Sequence, residues 1–353
     1  MPWHLESSYL SERYAEVNMG SRAMTEMLQA VGNQREHIAS AMRELCGGEE
    51  ILLIDSTHIT TQSGQNLSAQ VGYNSQISFD AQVNLLYLFS QDTQMPIFYR
   101  CVQGSVREVR SFRLTLQESG IKQSVLVSDK GFYSQNNVRI LEEDDWQYVL
   151  PLRRKSVFLD YTCTHKGDKK DFDGFSLFEA RVIWYKITPL AQANMPHKQV
   201  ILFLDEALKL AETKDYLQRI TDGVNGYMLA AFYEKEAHFG TLGFITNTTE
   251  IQQVEVIEAD LIDSNPITDN QKEKVTKKKK EKEKKFEAKQ LALSPQKVYQ
   301  YYKNRNDIEQ LNDTYKNLLE ADKTYMQSEA GMETWHFINF FRLASVLSYH
   351  STT

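Results

Sequence analysis

The sequence predicts an α/β protein in which helices flank a mixed sheet. Three apolar runs, residues 51–60, 83–90 and 96–102, follow one another and are typical of strands. Helical periodicity then alternates with short apolar runs, which gives the order helix, strand, helix, strand. Hydrophobic residues make up 41% of the 353 residues and aromatic residues 11%, so the chain has material for a core and is not a disordered protein.

The elements around this sheet follow from local patterns. Ala23, Met27, Leu28 and Val31 recur at helical spacing, so we expect a helical segment over the first 47 residues. After the three strands, the pattern predicts a helix over 106–118, a buried strand over 124–128, a helix over 136–143 and a strand over 148–152. A long helix is predicted over 294–319.

Residues 155–293 break this rhythm and are interpreted as a β-rich insertion. Strand-like segments are predicted at 177–187, 199–205 and 240–247, with a helix over 207–220. The insertion ends in a tract, residues 272–289, with ten lysines against four glutamates, which is either a charged linker or a phosphate-binding segment. The predicted division of the chain is therefore 1–48, an N-terminal helical segment; 49–154, the first part of the core; 155–293, the insertion; and 294–353, the C-terminal helices of the core.

Charge and cysteine content exclude several classes of protein. Forty basic and 47 acidic residues give a formal net charge of −7, which excludes a uniformly basic nucleic-acid coat but not local basic patches. Three well-separated cysteines exclude a disulfide scaffold and a CxxC zinc site. The longest apolar stretch contains Asn339 and Arg342 and is too short to span a bilayer, so we expect no membrane partner and a cytoplasmic location.

Acidic residues follow two of the predicted strands. Asp55 follows the apolar run of the first strand and Asp129 follows the run 124–128, at the strand ends where open α/β sheets build their sites. On the predicted late helix, Tyr302, Arg305, Glu309 and Lys316 fall within one narrow stripe. This stripe is either a solvated polar face or one carboxylate flanked by cations suited to phosphate.

The spacing Y-x2-R-x3-E-x6-K, read as Tyr302, Arg305, Glu309 and Lys316, resembles the signature of the insertion-sequence-four family of bacterial DDE transposases. The segments ILLIDSTH and VLVSDKGFYS resemble the family's two aspartate motifs. The segments YVLPLRR, GFITN and GMETWHFINFFRLASVL also resemble family segments, so the resemblance covers roughly residues 50–350. It implies an RNase H-like mixed sheet flanked by helices and interrupted by a β-rich insertion between the second aspartate and the glutamate.

The resemblance also implies a chemistry. Asp55, Asp129 and Glu309 would hold two Mg²⁺ ions, for which Mn²⁺ can substitute, with Asp55 bridging the pair and all three carboxylates within metal-bridging distance. The bound ions would activate water to cleave the ends of a mobile element. They would then activate the freed 3′-OH to attack target DNA.

Cations and an aromatic residue would hold the DNA. Arg305 and Lys316 would contact phosphates near the cleaved bond, and Arg153 and Arg154 would contact the DNA backbone. Tyr302 would either pack on a sugar or base or brace its helix.

The partners implied are double-stranded DNA, as element ends and as target, and a second copy of the chain that acts on paired ends. The cellular setting implied is the bacterial cytoplasm, at the nucleoid during the reaction.

Two alternatives stay open at this point. One is a stand-alone RNase H-like nuclease, and the other is a non-catalytic remnant that only binds DNA. The first 47 residues are short for the N-terminal region of full-length family members, so we expect a truncated or split copy.

Overall fold

A computed structural model describes residues 8–14, 16–44, 51–71, 80–103, 109–122, 124–165, 168–190, 198–248 and 293–351. The lysine-rich tract, 272–289, lies outside these residues, and so does the predicted start of the helix at 106. Within the described ranges, none of the helices combines the length and the apolar character that a membrane crossing requires.

One large mixed sheet organises the molecule. Its order is β2-β3-β1-β5-β6-β10-β9-β8-β7, with β4 paired to β3 and β11 paired to β1. The strands are β1 (Ile51–Thr61), β2 (Gln70–Val71), β3 (Ala81–Ser90), β4 (Met95–Gln103), β5 (Val125–Ser128), β6 (Gln147–Leu152), β7 (Gly174–Phe178), β8 (Arg181–Pro189), β9 (Gln199–Asp205), β10 (Thr241–Thr246) and β11 (Lys323–Thr324).

Helices surround this sheet, which confirms the predicted mixed α/β class. They are α1 (Leu10–Arg13), α2 (Ser21–Gly32), α3 (Arg35–Arg43), α4 (Val109–Ser119), α5 (Gln135–Glu143), α6 (Thr162–His165), α7 (Glu206–Thr221), α8 (Leu229–Lys235), α9 (Pro295–Lys303), α10 (Asn306–Asp313) and α11 (Glu329–Ser351). A π-helical segment, Thr314–Leu318, continues α10.

Strand direction changes at β1. On one side β1, β3 and β4 form an antiparallel meander, and on the other side β1, β5 and β6 run parallel. Residues 51–54 of β1 are fully buried, because they are paired with strands on both sides and covered by helices.

The sheet has a gap along one edge of β1. Strand β5 pairs with β1 only as far as Ile54, and β11 joins the same edge only at Thr60. Between these points β1 keeps its pairing with β3, while α10 packs against the other edge. This gap leaves room for side chains of α10 to reach the middle of β1.

Strands of the predicted insertion extend the same sheet. Strand β10 pairs antiparallel with β6, and β9, β8 and β7 follow outward. A second, smaller apolar cluster, formed by Tyr216, Phe232 and Phe239, holds α7 and α8 together. The proposed chain division at 48, 154 and 293 stays a prediction.

The structure corrects three element predictions. Residues 177–187 are not one strand but parts of the hairpin β7–β8, which turns at Glu179 and Ala180 with φ of 48° and 62°. Residues 294–319 are not one helix, since α9 ends at Lys303 and α10 begins at Asn306. The N-terminal helical segment is likewise divided, between α2 and α3.

Candidate active site

Asp55 and Asp129 follow paired residues of two neighbouring parallel strands. Ile54 of β1 pairs with Ser128 of β5; Asp55 is the next residue of β1, and Asp129 is the first residue after β5. The sequence suggested that Asp55 lies at the end of its strand. In the structure it lies within β1, which continues to Thr61. The apolar run ends there because β5 leaves the sheet at this point and opens the gap.

Buried contacts of Phe132 hold the turn that follows Asp129. Asp129 has extended backbone angles and precedes a short 3-10 turn, Lys130–Phe132. Phe132 is buried against Phe112, with ring centroids 6.1 Å apart, and its carbonyl accepts a hydrogen bond of 2.5 Å from Asn137 Nδ2. The Asp129 side chain stays 40% exposed, so it faces solvent from a fixed backbone.

Tyr302 begins the signature segment, which we define as residues 302–316. Its ring packs edge-on against Phe244 of β10, with centroids 4.7 Å apart, and the Arg305 guanidinium lies 5.8 Å from the ring centroid. Burial raises the pKa of Tyr302. These contacts are those of a residue that braces α9 against the sheet.

Arg305 lies between the second aspartate and the glutamate. It sits in the break between α9 and α10, where its Nη2 is 2.6 Å from Glu309 Oε1 and its Nη1 is 3.7 Å from Asp129 Oδ1. Burial opposes its charge, but Asp129, Tyr302, Glu309 and Asp55 together raise the pKa of Arg305. The guanidinium therefore stays charged and offsets the repulsion between the acids.

Asp55 is contacted from α10 across the gap. Asn312 Nδ2 donates a hydrogen bond of 2.9 Å to Asp55 Oδ2. Asn312 follows Glu309 by three residues and so lies on a neighbouring part of the same helix surface. The sequence alone does not single out Asn312, because an asparagine in a helix belongs to no motif; its spacing of three residues from Glu309 is the available signal.

Lys316 lies near the same gap, on the π-helical segment. Burial lowers the pKa of Lys316, against the opposing effects of Asp322 and Asp55. Burial and the Lys316 charge together lower the pKa of His58. These electrostatic effects indicate that Lys316 lies near both Asp55 and His58.

The structure thus brings the predicted residues to one region, but not into a ready metal site. Glu309 is linked to Asp129 through Arg305, and its side chain is 56% exposed. Within the part of the chain that the structure describes, no three acidic, histidine or cysteine side chains are placed to hold a metal ion together. The expectation that all three carboxylates lie within metal-bridging distance is therefore not met in this structure.

The donor chemistry nevertheless fits a hard divalent cation. Asp55, Asp129 and Glu309 offer carboxylate oxygens, the ligands that Mg²⁺ prefers. Their negative charge is balanced by the Arg305 guanidinium and by the partly buried Lys316.

The two arginines expected to contact DNA have different surroundings. Arg154 is held by Glu212, through contacts of 2.6 and 2.9 Å, and donates to the Thr241 carbonyl at 3.2 Å. Glu212 also accepts from the Gly240 amide at 2.8 Å, so this carboxylate joins α7 to the start of β10. Arg153 is exposed. The geometry assigns Arg154 a structural contact and leaves Arg153 facing solvent.

The family follows from comparison with known proteins. The model of the transposase DDE domain family matches residues 47–343, and the chain belongs to this family. The match includes both aspartates, the signature segment and most of α11. A search of curated proteins found no match.

Three solved structures were compared with the chain. A piggyBac transposase synaptic complex with hairpin DNA is 8% identical, with 87% of this chain and 54% of that chain covered and a TM-score of 0.33. The catalytic domain of Mos1 mariner transposase is 13% identical, with 43% and 71% covered and a TM-score of 0.22. A Mos1 mariner paired-end complex with Mn is 13% identical, with 41% and 52% covered and a TM-score of 0.20. The chain spans about half the length of the piggyBac transposase.

Proposed function

We propose that this chain is the catalytic region of a DNA transposase of the insertion-sequence-four type, which cleaves the ends of a mobile element and joins them to target DNA. One observation carries the proposal: Asp55 and Asp129 each follow a residue of the pair Ile54–Ser128 on parallel strands, and Arg305 connects Asp129 to Glu309. The strand order β4-β3-β1-β5-β6, antiparallel and then parallel, supports an RNase H-like core. Strands β7–β10 would be the insertion into that core.

Asp55, Asp129 and Glu309 would be the metal ligands. Two Mg²⁺ ions held by these carboxylates, with Mn²⁺ as a substitute, would supply Lewis-acid activation of the attacking and leaving oxygens. The backbone of β1 fixes Asp55, and the anchored turn after β5 fixes Asp129. Glu309 is the adjustable ligand, because its side chain is exposed and is held only by the neighbouring arginine in the contacts described.

Arg305 would serve two partners in turn. Its guanidinium has the planar fork that binds a carboxylate or a phosphate through paired contacts. A DNA phosphate near Asp129 would draw the guanidinium from Glu309 and so release the carboxylate for metal binding. Lys316, half-buried across the gap from Asp55, would contact a second phosphate.

Double-stranded DNA is the proposed partner, both as element ends and as target. Arg153 would contact the backbone from the edge of the site, since it is exposed at the end of β6. Tyr302 would act by bracing α9. Because an element has two ends to process, we propose that two copies of the chain act together.

The proposal is tested by Mg²⁺-dependent cleavage and strand transfer on DNA that carries the element's own ends. Glu309→Gln keeps the shape of the side chain but removes the charge. We expect it to lower both activities by at least about 100-fold, the scale seen when one charge-stabilising group is removed from an active site. Glu320→Gln, at an exposed glutamate further along the chain, is the matched control and should keep wild-type activity.

The remaining outcomes separate the alternatives. Cleavage that survives Glu309→Gln would contradict the assignment of the glutamate. Cleavage without strand transfer in the wild-type protein would identify a nuclease. DNA binding without either activity would identify a binding remnant.

A further inference from the structure

Asn312 contacts Asp55 through one half of its side-chain amide. Its Nδ2 donates to Asp55 Oδ2 at 2.9 Å, across the gap between β5 and β11. Asp55 has other interactions as well, so Asn312 is one of several groups that hold its carboxylate. A carboxylate held by a neutral amide keeps its negative charge and its ability to bind a cation.

The other half of the amide is buried without a hydrogen-bond partner. Asn312 Oδ1 accepts no hydrogen bond from any group in the described part of the chain. A buried acceptor without a donor costs free energy, because the oxygen has lost its water and gained nothing in return. A side chain that served only to pack α10 against β1 would be more stable as an apolar residue of the same shape.

We propose that Asn312 is the positioning residue of the metal site. Its NH₂ group fixes the Asp55 carboxylate, and its Oδ1 accepts a hydrogen bond from a water of the hydrated cation. This inference rests on the proposed function, since it requires Asp55 to be a metal ligand. Mg²⁺ keeps several of its waters in protein sites, and those waters need acceptors.

The burial and location of the amide favour this interpretation over two others. A DNA phosphate offers only acceptors, so it cannot satisfy a carbonyl oxygen. A lysine or arginine could satisfy it, but Arg305 is held by Glu309 and Asp129, and Lys316, which also lies near Asp55, makes no hydrogen bond to this oxygen. Metal-bound water is a donor that the proposed chemistry would bring to Asp55.

The experiment measures Mn²⁺ binding to the whole protein by electron paramagnetic resonance, without DNA. We expect Asn312→Ala and Asn312→Leu to weaken Mn²⁺ binding by about 10–100-fold, the effect of losing a partner that orients a metal ligand. Asn312→Leu keeps the branched shape of the side chain, so it tests the same contact if the alanine variant does not fold. Thermal melting of the metal-free variants reports on folding.

Asn317→Ala is the matched control. Asn317 lies on the adjoining π-helical segment, is exposed, and donates only to Asp313 in the contacts described. It should bind Mn²⁺ as the wild type does. If Asn317→Ala weakens binding equally, the effect belongs to the whole segment and the inference is wrong.

Asp55→Asn separates the inference from the proposed function. If Asp55→Asn abolishes Mn²⁺ binding while both Asn312 variants bind normally, the metal site stands and the role of Asn312 is rejected. If Asp55→Asn also binds normally, the metal site itself is wrong and both proposals fail.

Discussion

Tyr299 Oη donates a hydrogen bond of 2.7 Å to Asp205 Oδ2, which joins the helix before the signature segment to the end of β9. The Asp205 side chain is fully buried; its Oδ1 accepts from the Leu208 amide at 3.0 Å, and its Oδ2 lies 3.3 Å from Arg181 Nη1. Burial and the neighbouring Asp205 raise the pKa of Tyr299. The position of α9, and therefore of Arg305, depends on strands far along the chain from the aspartates.

Tyr299→Phe should destabilise the protein by about 1–3 kcal/mol. The substitution keeps the ring but removes a donor from a buried carboxylate, which then loses part of its compensation for burial. Denaturant unfolding measures the change. Tyr325→Phe is the control at an exposed tyrosine and should leave the free energy of unfolding unchanged. Equal stability of both variants would mean that Asp205 does not depend on the phenol.

Arg154→Ala should lower the stability of the protein, whereas Arg153→Ala should weaken its DNA binding. Arg154→Ala removes the contacts with Glu212 and Thr241 and should cost about 1–3 kcal/mol of stability. Arg153→Ala should leave stability unchanged but weaken DNA binding, with the salt dependence of the affinity reduced by about one phosphate contact. Unfolding curves and DNA affinity at several salt concentrations measure the two effects. A stable Arg154→Ala variant with weakened DNA binding would reverse our assignment.

Lys316→Met should raise the pKa of His58. The Lys316 charge is one of the two causes that lower this pKa, the larger being burial, so its removal should return the pKa part of the way toward 6.5. An NMR titration of the His58 ring protons measures the shift without DNA or metal. Lys323→Met, at an exposed lysine of β11, is the control. An unchanged His58 pKa would place Lys316 away from β1.

His336 should make stability fall as the pH is lowered. Complete burial lowers its pKa from 6.5 to about 3, and its Nδ1 is 2.7 Å from Tyr315 Oη. Between these values the unfolded chain binds a proton that the folded chain does not, so stability is full above about pH 6.5 and decreases below it. The decrease attributable to this one residue approaches about 1.4 kcal/mol per pH unit.

His336→Asn is the variant that tests this dependence. It keeps an acceptor for Tyr315 but has no group that titrates in this range, so its unfolding free energy should depend less steeply on pH than that of the wild type. His37→Gln, at an exposed histidine of α3, should retain the wild-type slope. Parallel curves for wild type and His336→Asn would show that the folded and unfolded chains bind a proton at this imidazole alike, so that burial does not lower the pKa of His336.

The strands of the core could be predicted because burial on both faces imposes continuous apolar runs, as in residues 51–54. The turn at Glu179 and Ala180 was missed because neither residue type favours a left-handed conformation. The pairing of β7 with β8 imposes this conformation. The break that contains Arg305, between α9 and α10, was missed because helical periodicity persists on both sides of it. The order of Asp55, Asp129 and Glu309 along the chain could be read from the sequence. The contacts that Arg305 and Asn312 make with these acids depend on how α9 and α10 pack on the sheet.

The ladder between β6 and β10 constrains how the molecule can move. Val149–Leu152 pair with Gly243–Thr246, so the outer strands are joined to the core by backbone hydrogen bonds rather than by a linker. Swinging the outer strands away as a rigid lid would break these bonds and expose their donors and acceptors. Among the described strands, movement of β7–β10 relative to the core is therefore expected as twisting of one continuous sheet and not as rotation about a hinge.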